Sequence, residues 1–170
     1  MNDPIETWMS ADGTEVRIRP IAAADFELEL AFTQGLSRES GYQRLMSTRR
    51  LTRAEIERFV GIDGDCEVAL IATTTHAGTE RLIGVARFAR EECGETAEIA
   101  LVVTDDWQGR GLGRRLLAGL IASARRHGVH RLVGTTRSEN DAMLALARAF
   151  GFEASRERGY APVTNVSLQI

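Results

Sequence analysis

Between residues 105 and 117 the sequence reads DDWQGRGLGRRLL, with Gly109, Gly111 and Gly113 at alternate positions. An apolar run, Ile99 to Val103, precedes them and a long amphipathic stretch follows. A strand, a glycine loop and a helix in that order make an anion site. The first N–H groups of a helix lack intrahelical partners and carry about half an elementary positive charge. Glycines let the backbone approach a ligand and adopt positive φ. The chemistry suggested is phosphate binding, set against the plainer alternative of a tight strand-to-helix turn. Two phosphate loops are excluded. The ATP/GTP loop needs Lys-Ser/Thr after its last glycine, where Arg114 and Arg115 stand. The dinucleotide fingerprint, counted from Gly111, meets Leu116 at its third glycine position, and it belongs in a first strand–helix unit rather than past mid-chain. Glu98 is the second residue of interest, a carboxylate inside the otherwise apolar AEIALVV. Its neighbours Ala97, Ile99 and Ala100 predict desolvation, which raises a carboxyl pKa and makes a stronger base. The alternative is a strand carboxylate that faces solvent.

The elements that must hold these residues are legible from periodicity. TEVRIRPI alternates and ends at Pro20, predicting a first strand. Helical spacing runs from Asp25 to Leu36, and Thr52-Arg-Ala-Glu55 is a capping box opening a second helix through Val60. CEVALIATTT, RLIGVARFAR and TAEIALVV predict three strands in an antiparallel meander. Leu112, Leu116, Leu120 and Ala124 recur at four-residue steps, predicting a helix from Gly111 to His127 that Gly128 ends. A strand at HRLVGTT, a helix from Asn140 to Phe150, and closing strands at FEASRER and VTNVSLQI complete the chain. The order predicts an α/β fold with both antiparallel and parallel pairing. No repeat, linker or low-complexity tract divides it, so residues 1–170 read as a single domain, with 1–13 an N-terminal extension.

Gln108-Gly-Arg-Gly111-Leu-Gly113 fits the pattern Gln/Arg-x-x-Gly-x-Gly/Ala, and here the sequence resembles the pyrophosphate loop of the GNAT acetyltransferases. AEIALVV is similar to that family's fourth strand, and SENDAMLALARAFGFE to its Asn-to-Gly-Phe helix and turn. The resemblance covers residues 14 to 158 in element order. It is fullest with the catalytic domain of bacterial Pat-type protein lysine acetyltransferases, through VRIRPI, LSRESGYQRL, LTRAEIERFVGID, LIGVARF and AEIALVV followed by QGRGLGRRL. It implies a GNAT fold: a central, mostly antiparallel mixed sheet of about six or seven strands flanked by helices.

It also implies acetyl-CoA as cosubstrate, no metal, and direct attack by an amine. An ammonium with pKa near 10.4 is neutral at pH 7 only about once in 2,500 molecules, a cost of roughly 4.6 kcal/mol, so a base is needed. The resemblance gives that role to Glu98. It places the pantetheine along Leu101, Val102 and Val103, as an added pseudo-strand. It places the pyrophosphate on Gln108, Gly109, Arg110, Gly111, Leu112, Gly113 and Arg114, with the two arginines adding charge. Asn140 is either a contact to the pantetheine arm or an ordinary N-cap of the next helix. The tyrosine that many members place seven residues later, to protonate the leaving thiolate, is Ala147 here. Tyr160 is the one candidate to replace it. The resemblance implies a protein lysine as acceptor, an acyl-CoA synthetase being the kind of target, with a small amine or a non-catalytic CoA sensor as alternatives.

Residues 36–65 would form the acceptor side. They mix Arg38, Arg44, Arg49, Arg50, Arg53 and Arg58 with Glu39, Glu55, Glu57, Asp63 and Asp65. Such alternation suits the polar rim of a protein interface, or simply solvated helix faces. Composition bounds the rest. A net charge of −3 argues against general nucleic-acid or anionic-membrane binding, and no apolar run approaches a membrane span. MNDPIETW lacks the basic flank and apolar core of a signal peptide, so a cytoplasmic protein is expected. Cys66 and Cys93 are isolated and lack metal spacing, and reduced, buried thiols are expected. All 21 basic residues are arginine. The oligomeric state is open, a homodimer included.

Overall fold

A computed structural model describes residues 5–45, 51–156 and 162–170. Its centre is one mixed sheet of eight strands in the order β1-β2-β3-β4-β5-β6-β8-β7. The strands are β1 (Glu6–Met9), β2 (Glu15–Pro20), β3 (Glu67–His76), β4 (Thr79–Arg90), β5 (Thr96–Val103), β6 (Arg131–Arg137), β7 (Glu153–Arg156) and β8 (Val163–Gln169). Five α-helices cover it: α1 (Phe26–Gly35), α2 (Arg38–Leu45), α3 (Arg53–Val60), α4 (Leu112–Arg126) and α5 (Asp141–Ala149). This is the expected mixed, mostly antiparallel sheet flanked by helices, with one strand more than the upper figure of seven. The extra strand is β1, drawn from the expected N-terminal extension, which pairs antiparallel with β2. Helix α2 is a second addition. Its RESGYQRL sequence has almost no apolar face, so periodicity does not mark it.

Local chemistry sets the boundaries. Thr52 Oγ1 accepts from the Glu55 N–H at 3.3 Å while Glu55 accepts from the Thr52 N–H at 2.8 Å, completing the capping box of α3. Helix α4 stops where Gly128 takes φ 72° and Val129 N–H returns to the Ala124 carbonyl at 3.0 Å. At the β2 end, Arg19 makes paired hydrogen bonds of 2.7 Å to both oxygens of Asp25.

Alternation along the strands divides the core between two faces. Ala97, Ile99 and Val103 of β5 pack with Leu112, Leu116, Leu117 and Leu120 of α4 and with Leu144 and Ala147 of α5. Val102 faces the other way, among Ile71, Leu82, Val85, Phe32 of α1 and Val60 of α3. Full burial of one such leucine stabilises by about 1.5–3 kcal/mol, so the stripe read from the sequence is what seats α4. Gly84 lets the helix lie close: a Cβ there would come within 2.9 Å of Leu116 Cδ1.

The cysteines depart from expectation. Cys66 and Cys93 form a disulfide, and Cys93 is exposed. The β3–β4 hairpin explains it: Glu67 pairs with Ala89, so the residue before β3 meets the turn just after β4, with Cα atoms 5.0 Å apart. Arg90 secures the same corner, donating to the Asp65, Cys93 and His127 carbonyls. Among the described residues no helix is long and apolar enough to cross a membrane.

Candidate active site

Every adjacent pair of strands is antiparallel except β5 and β6, and theirs is a short contact. Thr96, Ala97 and Glu98 pair in parallel with Arg131, Leu132 and Val133. Beyond Glu98 the strands part. β5 continues along β4 to the Gly84–Val103 pair, while β6 continues along β8 to Arg137–Val163. Gly134 stands at the fork, where a Cβ would lie 3.2 Å from Ile99 Cγ1. Past the fork a cleft of about 710 Å³ opens between Leu101–Val103 of β5, the glycine loop and the start of α5, and Glu98 is not among the residues that line it.

One wall of the cleft is the free edge of β5. The Thr104 N–H donates to the Ile83 carbonyl at 2.9 Å, toward β4. Alternation therefore points the backbone groups of Val103 and Leu101 the opposite way, into the opening. The floor is the glycine loop. Gly109 and Gly111 have φ of 71° and 87°, and a Cβ on either would meet nothing within 4 Å. Gly111 is the N-cap of α4, which has neither a side-chain cap nor an acidic residue in its first turn. The first helical bond runs from the Arg115 N–H to the Gly111 carbonyl at 3.2 Å, leaving the N–H groups of Leu112, Gly113 and Arg114 to face an incoming anion. Gly113 is helical and serves packing: its Cβ position lies 3.5 Å from Leu146 Cδ2 and 3.7 Å from Leu101 Cδ2.

The structure brings Leu101, Val102, Val103, Gln108, Gly109, Gly111, Gly113, Arg114 and Asn140 together around this cleft. Arg114 also lies over the Phe150 ring, 5.3 Å from its centre. Leu112 is fully buried in the core, so its backbone alone reaches the loop. Arg110 departs from expectation. Its guanidinium stacks on Trp107 at 5.0 Å and pairs with Asp12 at 2.7 Å, outside the cleft lining. The Ser10 hydroxyl, Thr14 and Arg110 together hold the Asp12 carboxyl well below the usual carboxylate range. Gln108 also turns away from a phosphate role, because its amide donates to the Val103 carbonyl at 3.1 Å and to Ser40 Oγ at 3.3 Å.

Asn140 is an N-cap: its Oδ1 accepts from the Met143 N–H and its Nδ2 donates to Thr136 Oγ1, both at 3.1 Å. Glu98 sits at the fork, on the last β5 residue bridged to β6, and is exposed. Its expected apolar surroundings are corrected here. Ala97 and Ile99 are its neighbours in sequence but point to the opposite face of the sheet. Ala147 is buried in the core, and Tyr160, Arg49 and Arg50 lie outside the described residues. Trp107 and Phe88 are buried packing residues.

Ser37, Glu39 and Ser40, expected only as part of the acceptor-side segment, line the side of the cleft nearest α2, and sequence reading missed Asp105 beside them and Glu139 and Asp141 across from them. The available signal was Ser37: its Oγ accepts from the Ser40 N–H at 3.2 Å, an N-cap contact at the start of α2.

Comparison with known proteins agrees with this geometry. The family model described as Acetyltransferase (GNAT) family matches residues 31–152. An acetyltransferase of Pseudomonas aeruginosa is 32% identical over 155 residues, covering 88% of this chain and 82% of the relative. Acetyltransferase Pat of Mycolicibacterium smegmatis is 36% identical over 141 residues, covering 82% of this chain, which spans 42% of that protein's length. Among solved structures, the GNAT domain of S. lividans PAT superposes with a TM-score of 0.85 at 28% identity, over 98% of this chain and 97% of that one. With the forked sheet, the glycine loop and the uncapped helix all in place, the chain belongs to the GNAT family and is an acetyl-CoA-dependent N-acetyltransferase.

Proposed function

We propose that the chain acetylates a lysine of a folded protein, with Glu98 as general base and the start of α4 holding the pyrophosphate of acetyl-CoA. The observation that carries the cosubstrate site is the first turn of α4. Its N–H groups have no side-chain cap, open onto the cleft, and follow a glycine in left-handed conformation. Leu101 and Val103 offer backbone groups to an extended arm lying between β5 and β6, as a strand would. Acetyl-CoA supplies the acetyl group as a thioester.

Glu98 stands where the strands separate, so an amine reaching the end of the arm comes beside its carboxylate. Glu98 takes the proton from the ammonium, directly or through water, freeing the nitrogen lone pair. The nitrogen then bonds to the thioester carbon, the carbon–sulfur bond breaks, and the second proton shed by the nitrogen passes to the departing thiolate or to water. A thiol resembling cysteine, with pKa about 8.5, leaves as a thiolate with modest help, so the apolar Ala147 is compatible with turnover. The acidic side chains Glu39, Asp105, Glu139 and Asp141 around the cleft favour a cationic acceptor. They also disfavour phosphate, which leaves anion binding to Arg114 and the helix terminus.

The resemblance of the sequence to Pat-type protein lysine acetyltransferases supports a protein acceptor. So does the charged surface of α2 and α3, where Arg53 lies 4.4 Å over the Phe26 ring and pairs with Glu57 at 3.2 Å. The test is transfer of labelled acetyl from acetyl-CoA to a purified acyl-CoA synthetase, against polyamines, amino acids and aminoglycosides at matched amine concentration. The chain contains no lysine, so self-labelling of ε-amines adds no background. A small amine preferred by tenfold or more in kcat/KM, about 1.4 kcal/mol, overturns the protein-acceptor reading.

A further inference from the structure

Two walls of the cleft come from segments far apart in sequence, and one small network joins them. Ser40, in the first turns of α2, is 3% exposed. Its hydroxyl donates to Asp105 Oδ1 at 2.5 Å. Gln108 Nε2 approaches Ser40 Oγ at 3.3 Å, Asp105 Oδ1 at 3.4 Å and the Val103 carbonyl at 3.1 Å. A serine, an aspartate and a glutamine thus close a ring between α2, the end of β5 and the glycine loop. A buried hydroxyl given to a charge-assisted bond makes an attachment that ordinary helix packing does not require. Its direction is informative. The Val103 carbonyl faces the opening between β5 and β6, and Gln108 begins the loop that leads to the start of α4.

Helix α2 follows α1, which packs on the sheet face bearing Val102, and α2 itself packs against β5. Glu98 projects from β5 on that same face, because residues 98, 100 and 102 alternate with the core-facing 97, 99 and 101. The position of α2 therefore shapes the space through which an acceptor comes to Glu98. We infer that Ser40 is a positioning residue which, through Asp105 and Gln108, makes the seating of α2 depend on occupancy of the cosubstrate cleft. A ligand that fixes the loop and engages the free edge of β5 also fixes Gln108, and through Ser40 it holds the acceptor-side helix. This inference rests on the proposed placement of acetyl-CoA in the cleft.

The test is hydrogen exchange on the full chain with and without saturating CoA, in the native protein and in Ser40→Ala. The expected result in the native protein is slowing by about fivefold or more at residues 108–113 and also at 38–45, a coupling of ordinary size. In Ser40→Ala the slowing persists at 108–113 and falls below about twofold at 38–45. With acceptor present, KM for the acceptor rises about five- to tenfold while acetyl-CoA affinity stays within about twofold, a split that a general loss of stability does not produce. Protection of 108–113 without 38–45 in the native protein overturns the coupling and leaves the cleft assignment standing. An unchanged response of α2 in Ser40→Ala assigns the coupling to other contacts and overturns the role of Ser40. Absence of protection at 108–113 in the native protein overturns the cleft assignment and the coupling with it. The native arm decides the coupling even if the variant folds poorly.

Discussion

Gly111 carries two separable demands, and two substitutions tell them apart. Its φ of 87° is a left-handed conformation, and a Cβ there would meet no atom within 4 Å. Gly111→Val therefore suffers no clash in the free protein; its cost is backbone strain of about 1–3 kcal/mol. For a domain of this size that lowers Tm by roughly 2–12 °C, and the chain stays folded. Ligand binding falls much further. Relaxing the strain turns the first turn of α4 away from the cleft, and the side chain fills the approach to it. Losing two of the three free N–H contacts to a charged group, at about 1.5–3 kcal/mol each, raises the acetyl-CoA Kd by roughly 10²–10⁴-fold. Gly111→Asn separates the causes, since asparagine tolerates the left-handed region. Its Tm should stay close to native while Kd rises about tenfold, from crowding alone. Calorimetric titration of both folded variants with acetyl-CoA is the assay. Native affinity in Gly111→Val refutes the placement of the pyrophosphate on this loop.

Other outcomes follow from the same structure. Glu98→Gln keeps shape and removes proton acceptance, so kcat/KM should fall about 10²–10⁴-fold with acetyl-CoA affinity retained; a loss below about threefold moves the base elsewhere. Gly84→Ala forces a methyl to within 2.9 Å of Leu116 Cδ1, and chemical denaturation should show about 1–3 kcal/mol of destabilisation from overpacking. Cys93→Ser should cost about 3–4 kcal/mol for the opened 27-residue link, and reductant should lower the native Tm to that of the variant without moving the variant itself. Burial pushes the Asp25 carboxyl up, but hydrogen bonds from Arg19 and the Ala22 N–H outweigh it, and its pKa lies below the ordinary value. That contribution is present above about pH 3.9 and is lost as pH falls through the depressed pKa, so acid should weaken the native protein more than Asp25→Asn; equal acid sensitivity in urea titrations contradicts it.

What the sequence revealed and what it hid divide along a physical line. Periodicity and caps act within a segment, so α4, its Gly128 terminus, the Thr52 capping box and the three central strands were readable from neighbours a few residues apart. The glycine loop was readable for the same reason. Helix α2 was not, because RESGYQRL gains its place from contacts with β5 and the loop rather than from an apolar stripe. Strand β1 is four residues long and exists by pairing with β2, which no local pattern announces. The Cys66–Cys93 link required knowing the hairpin register. Side-chain destinations were least legible. Arg110 and Gln108 stand in the loop motif, yet their partners, Asp12, Ser40 and the Val103 carbonyl, lie on other elements. The surroundings of Glu98 were misjudged by counting sequence neighbours on a strand, where adjacent residues look in opposite directions.

The sheet is held across its middle by three paired residues on each side, Thr96–Glu98 with Arg131–Val133, and then gapes. In the proposed reading, what closes the gap is the handle of the cosubstrate, its arm and diphosphate, and the handle is the same whether or not an acetyl group rides on it. Spent carrier should then plug the seam about as well as charged carrier. The enzyme would behave as a ratio meter, its output following the proportion of charged to spent carrier in the cell more than the absolute supply of either.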